Sequence, residues 1–278
     1  MILSIKQVLP QLYNDLESFF SQKTKLSIKS GIELLDAVTG GFFPGELTLF
    51  SGADKNCLYG LCHSIAMNVL KTDEVSVFIH SGDHRYSMNR IAGVVTGFPI
   101  DNDLSSNERA RLSVGLSLYA TFEDFMQQGF YLADSLDNWE EEIKKCNELN
   151  RPAKEILLIE DINALSIQPN ANTSETDETV GRIKFLKDFA QTYRIPVIAN
   201  IIKNAQTETD INLMAEPHKI ISVTDTGEIC LHDKKALKKI NLNILRNTTA
   251  VTGEFALLFD PLSGCVTDIP SQSESFEW

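Results

Sequence analysis

Four short apolar runs, at 47–50, 75–79, 155–159 and 196–201, constrain this chain more than any other feature. Each has the length of a strand, and none alternates polar with apolar residues along its whole length, so each must be buried on both faces. Between and around them lie stretches of helical character, near 58–71, 84–96, 107–119, 136–149 and 178–193. Buried strands separated by helices form a mostly parallel sheet covered on both sides, an α/β architecture. The last third changes. Residues 219–223, 228–232, 240–246 and 254–260 are short, β-like and divided by turns, which predicts an antiparallel C-terminal β extension.

With 278 residues, 43% of them hydrophobic, the chain can build one large domain or a domain with an appendage. A formal net charge of −13 works against bulk attraction to nucleic acid, so DNA binding is expected to be weak or absent unless a local basic patch supplies it. Cys57, Cys62, Cys146, Cys230 and Cys265 form no CxxC pair and lie at no metal-ligand spacing from histidines, so free thiols are expected and no metal site. No stretch reaches the roughly 18 apolar residues of a membrane span, and the opening MILSIKQVLPQLYNDL has no cleavable leader pattern. A cytoplasmic protein without a membrane partner is the expectation.

Ile5, Val8, Leu9, Leu12, Leu16, Phe19 and Phe20 make one apolar stripe on a helix over 4–21. That stripe packs on its own domain or docks on a neighbouring subunit, and the pattern leaves both open. A polar linker follows. The expected organisation is a helix and linker at 1–30, the α/β domain at 31–270 and a tail at 271–278, with a loop at 166–178.

The run 47–50 leads into Gly52 to Tyr59, which read GADKNCLY. A phosphate-binding loop reads GxxxxGK[ST]: backbone amides cradle the phosphates, the lysine neutralises them and the hydroxyl holds magnesium. Here the second glycine is Cys57, the lysine is Leu58 and the hydroxyl is the phenol of Tyr59. Lys55 is close by but is assigned to the loop, ahead of the helix. The segment, including Asp54, has the outline of a nucleotide site without its chemistry.

In "EILLIEDINAL" the strand at 155–159 ends on Glu160 and Asp161, where a nucleotide hydrolase holds magnesium through water and where other proteins cap the next turn. His80, Asp83 and His84 follow the strand at 75–79. They are read as exposed loop residues at a sheet edge, with acid–base chemistry as the alternative. Ser81 and Ser87 lack the context of a nucleophile elbow. The most basic stretch, "HDKKALKK" at 232–239, is read as a solvated hairpin, with a grip on DNA through Lys234, Lys235, Lys238 and Lys239 as the alternative. Trp139 is read as packing.

Together these residues resemble a known family. "SIKSGIELLDAVTGGFFPGELTLFSG" is similar to the opening of the RecA-like motor domain of DnaB-family (superfamily 4) replicative DNA helicases, a P-loop NTPase fold, through Gly31, Leu35, Asp36, 39–41 and 44–47. The helix at 4–21 resembles the family's linker helix, which docks on the next subunit. "RIPVIAN" resembles the strand after the second nucleotide motif, and "NILRNTTAVTGEFALLFDPLSG" the final hairpin, with Arg246 at the position of the trans-acting arginine finger. The resemblance implies that the family's N-terminal primase-interacting domain is missing.

Measured against that family, Leu58 and Tyr59 stand at the lysine and threonine positions. The catalytic glutamate falls at Ser81, or at Gly82 or Asp83 if the loop slips, and the magnesium-linked aspartate position holds Glu160. The glutamine sensor falls near Ile201 or Ile202. The DNA-contacting loop is shortened in "QTETDINLMAEPHK" and lacks the usual arginine. The resemblance therefore implies a retained scaffold without the motor: a non-hydrolysing assembly or regulatory module linked to DNA replication, with no cofactor. Its implied partner is a second copy or an authentic DnaB-type helicase or other replication protein. Two alternatives stand beside it. One is an unconventional ATP- and Mg2+-dependent helicase or ATPase using Lys55, Asp83 and Glu160, with Arg246 as a further candidate. The other is a module that binds nucleotide or DNA without hydrolysis.

Overall fold

The computed structural model describes residues 27–72, 75–97, 123–124, 129–133, 135–137, 139–141, 154–165, 175–202, 216–232, 235–248 and 252–270. The expected helices at 4–21 and 107–119, most of the one at 136–149, the loop at 166–174 and the tail from 271 lie outside these residues.

Nine strands form one sheet in the order β3-β2-β4-β5-β1-β6-β7-β8-β9. They are β1 Leu47–Gly52, β2 Val75–His80, β3 Phe130–Ala133, β4 Lys154–Ile159, β5 Val197–Ile202, β6 Lys219–His232, β7 Lys235–Asn247, β8 Glu254–Phe259 and β9 Val266–Thr267. The pairings from β3 through β6 are parallel, and those from β6 to β9 antiparallel. Among the described residues the longer helical segments are α1 Glu33–Thr39, α2 Lys55–Leu70, α3 His84–Thr96 and α4 Glu175–Tyr193. The α/β sheet with an antiparallel extension is the fold class that the apolar runs predict.

The buried runs do what their composition requires. All six residues of β1 are buried, with Phe50 facing the core under α1, α2 and α3, and Leu47 and Leu49 facing the core under α4. That split follows from side chains alternating across a strand. Trp139 is indeed packing: its ring meets Phe78, Phe189 and Tyr193 edge-on. Among the described residues no helix is long and apolar enough to cross a membrane.

Three boundaries differ from expectation. The helix expected from 58 begins at Lys55, because Asp54 caps it: its side chain accepts a hydrogen bond from the Asn56 N–H. Lys55 therefore stands in the first helical turn and not on the loop. The strands expected at 219–223 and 228–232 are one strand, β6, with a register shift between Asp225 and Ile229. There Gly227 takes φ +75°, which side chains rarely adopt. The expected loop at 166–178 runs into α4, which starts at Glu175.

Two long-range ties fix the frame. Lys219 is fully buried, and its ammonium donates to Glu46 Oε2 at 3.0 Å and to the Gly41 carbonyl at 2.9 Å. The N–H groups of Glu33 and Leu34 at the start of α1 donate to the carboxylate of Asp268, at 2.7 and 3.0 Å. A carboxylate just past the last strand thus caps the first described helix.

Candidate functional site

β1 is central and delivers its C-terminal end, Gly52, to the foot of α2. A Cβ on Gly52 would lie 2.4 Å from the Val223 carbonyl oxygen, so only glycine allows β1 and β6 to come this close. A helix N-terminus points unpaired N–H groups outward and attracts anions. Here the chain supplies that anion itself. Asp54 Oδ1 accepts from the Asn56 N–H at 2.8 Å, and Cys57 Sγ donates to Asp54 Oδ2 at 3.4 Å. Burial first, then the Asp54 charge and hydrogen bond and the Asp225 charge, push the Cys57 thiol up to about 12, against a weaker opposing pull from Lys238.

Leu58 is fully buried in the core, and its carbonyl accepts from Asn200 Nδ2 at 3.2 Å. Tyr59 is half-buried, its ring 6.0 Å from that of Tyr86 and 6.5 Å from that of His63. Burial, then the charges of Asp161 and Glu160, push its phenol up. Asn56 also accepts from the Tyr86 hydroxyl at 3.3 Å and from Arg90 Nη2, which ties α3 to this first turn. Lys55 is exposed.

Glu160, just past β4, is 3% exposed, and side chains engage both its oxygens. His63 Nε2 is 2.6 Å from Oε1, and Ser87 Oγ donates to Oε2 at 2.6 Å. Ser81 Oγ lies 2.5 Å from Ser87 Oγ, which extends the chain to the end of β2. Burial pushes the Glu160 carboxyl up. The His63 hydrogen bond and charge, followed by the Ser87 and Ser81 hydrogen bonds, outweigh burial and hold it below its ordinary range. An ionised carboxylate only accepts, so His63 Nε2 carries the proton of their bond. His63 Nδ1 is buried without a hydrogen-bond partner.

The other predicted residues scatter. Asp83 is exposed and caps α3, accepting from the Tyr86 N–H at 3.1 Å. His80 is no exposed loop residue: it is the buried last residue of β2, an internal strand. It lines, with Ser81, Gly82, Asp83, His84, Arg85 and Ala164, an open cleft of about 610 Å³. Arg246 lies opposite Ile220, whose partner on β1 is Leu49, so the register places it well short of the end that bears Gly52. Within one chain the structure does not bring Arg246 to Asp54 or Glu160. Ile201 and Ile202 end β5.

The lysines of the basic run are matched by acids. Lys238 meets Asp225 at 2.7 Å, Lys239 meets Glu228 at 2.9 Å and Lys235 meets Asp260 at 3.7 Å, while Lys234 lies outside the described residues. Sequence reasoning missed His63, Asn200 and Asp225. His63 did leave a signal, as the lone basic side chain in the largely apolar stretch 60–67.

No protein-family model matches the sequence, and no curated protein matches it. Solved structures do match the fold. A DnaB-like replicative helicase, solved in work on its interactions with primase, superposes with a TM-score of 0.72 at 16% identity, covering 97% of this chain and 68% of that one. The ATPase domain of G40P superposes with a TM-score of 0.70 at 16% identity, over 97% of this chain and all of that one. The chain has the fold of a DnaB-type RecA-like domain. The RadB recombinase is more distant, with a TM-score of 0.51 at 15% identity over 87% of this chain. In this fold the central strand, the capped loop and the buried Glu160 network stand at one end of the sheet, joined through α2, which carries both Asp54's hydrogen bonds and His63.

Proposed function

We propose that this chain is a DnaB-like helicase core that does not hydrolyse nucleotide and serves as an assembly or regulatory module in DNA replication. The observation that carries the reading is Asp54. Its carboxylate takes the N–H at the foot of α2 that a phosphate would need, and the lysine position holds Leu58, which is buried in the core. Glu160 adds support, because His63 and Ser87 engage both of its oxygens. Replication is supported by the likeness to a DnaB-like replicative helicase, and that helicase's interactions with primase favour a replication protein as partner. The partner is a second copy of this chain or a DnaB-type helicase, and the site of action is the cytoplasm.

Light scattering on the chain alone and mixed with a DnaB-type helicase tests assembly. Self-association or a mixed complex is expected, and a monomer that joins nothing defeats the proposal. Unfolding with and without Mg2+ and ATP tests the site. A bound nucleotide at 100 times its Kd would stabilise by about 2.7 kcal/mol, and no such shift is expected.

One observation favours a second reading, an unconventional ATPase: Lys55 is exposed in the first turn of α2. Phosphate release that falls in Glu160→Gln supports it. Equal background release in both proteins removes it.

A further inference from the structure

Asp54 and Cys57 at the foot of α2 and Asp225 in β6 bring two carboxylate oxygens and a sulfur within 4.8 Å of one another. We propose that these three side chains form a binding site for a thiophilic divalent cation of the zinc class. One sulfur and two carboxylate oxygens with a fourth position left to water suit such an ion, whereas magnesium and calcium demand oxygen throughout.

The geometry is nearly in place. A tetrahedral ion with bonds of about 2.0–2.3 Å holds its ligand atoms about 3.5 Å apart. Cys57 Sγ and Asp54 Oδ2 are already 3.4 Å apart. Asp225 lies within 4.8 Å of both, and it sits at the register shift of β6, where the ladder is interrupted. Asp54 also offsets the positive end of α2, which would otherwise repel a cation.

A second observation is independent of ligand spacing. Asp225 already holds a cationic group, because Lys238 reaches across from β7 and seats its ammonium 2.7 Å from Asp225 Oδ2. The Lys238 side chain is 33% exposed, so it can swing into solvent when a metal ion replaces it.

Binding exchanges one bond for another: the Cys57 S–H breaks, the sulfur–metal bond forms and the proton leaves to solvent. Asp54 and Asp225 bind as carboxylates, and Lys238 keeps its proton. One proton per ion makes the affinity rise about tenfold per pH unit near neutrality.

The site shares its loop with the proposed function but is tested apart from it. Polyphosphate bound at this turn would defeat both, while failure to bind metal defeats this inference alone.

The test titrates the full chain with Cd2+, reading the ultraviolet sulfur-to-cadmium band, with Zn2+ as competitor. One ion per chain is expected. The band should vanish in Cys57→Ser, binding should weaken about tenfold or more in Asp225→Asn, and it should tighten in Lys238→Met. Metal-free unfolding curves identify any variant that has lost its fold, and Asp225→Asn, at a partly exposed strand position, decides the matter if Cys57→Ser does not fold. No band in the wild-type chain, a band that persists in folded Cys57→Ser, or an unchanged affinity in Asp225→Asn overturns the proposal.

Discussion

His63 and Glu160 face each other at 2.6 Å with both side chains shut off from water, one from the middle of α2 and the other from the end of β4. This pair joins the helix that begins at the candidate loop to the strand that bears the candidate metal carboxylate. Removing His63 leaves the Glu160 carboxylate buried with only the Ser87 hydroxyl to balance its charge. His63→Leu should cost about 3–5 kcal/mol, measured by urea unfolding at neutral pH. A cost below about 1 kcal/mol would show that Glu160 finds another partner.

The same pair gives a pH signature. The folded-state carboxyl of Glu160 is held below its ordinary value of 4.5 by His63 and the two serines, despite burial. A depressed carboxyl stabilises the fold at pH values above its unfolded pKa, and that contribution is lost as pH falls through the folded one. Urea midpoints should therefore decline from about pH 4.5 downward, and Glu160→Gln, less stable at neutral pH, should decline less steeply.

Lys219 and Glu46 make the second buried ion pair. Lys219→Ala removes the buried ammonium that pairs with Glu46 just ahead of β1 and should cost about 3–5 kcal/mol by chemical denaturation. Lys219→Met keeps the buried stem and loses only the ammonium, which lies 4.6 Å from the Phe43 ring centroid, so it should cost less than Lys219→Ala.

A phosphate-loop lysine cannot be restored by a single exchange. Leu58 is fully buried, so Leu58→Lys removes a core leucine and places an ammonium among apolar side chains. The expected loss is about 3 kcal/mol or more. No Mg2+-ATP stabilisation should appear in thermal unfolding, because the Asp54 cap remains.

Gly52→Ala tests the approach of β1 to β6. A methyl group would press on the backbone oxygen of Val223, which cannot rotate away as a side chain could. The strands must part, at about 1–3 kcal/mol, read as a lower urea midpoint.

The buried strands are legible in the sequence because a parallel strand covered on both faces has nowhere to place a polar side chain. β3 is not, since Phe130–Ala133 is a four-residue edge strand and only half-buried. The start of α2 lies ahead of the expected one because the P-loop frame sets the helix at Leu58, while Asp54 carries an ordinary N-cap signal three residues before Cys57. The acidic partners of the lysines are hidden for a simpler reason. Charge counted along 232–239 reads as basic, but Asp225, Glu228 and Asp260 arrive from other parts of the chain. Likewise nothing near His63 in the sequence announces Glu160, 97 positions later.

The cap that Asp268 places on α1 sets a schedule for biosynthesis. Helix α1 emerges early from the ribosome, but its terminal acceptor is made 235 residues after Glu33. Until then its first N–H groups are left to water. A nascent chain stalled before residue 268 should show a frayed α1, and its release should be the moment at which that helix locks.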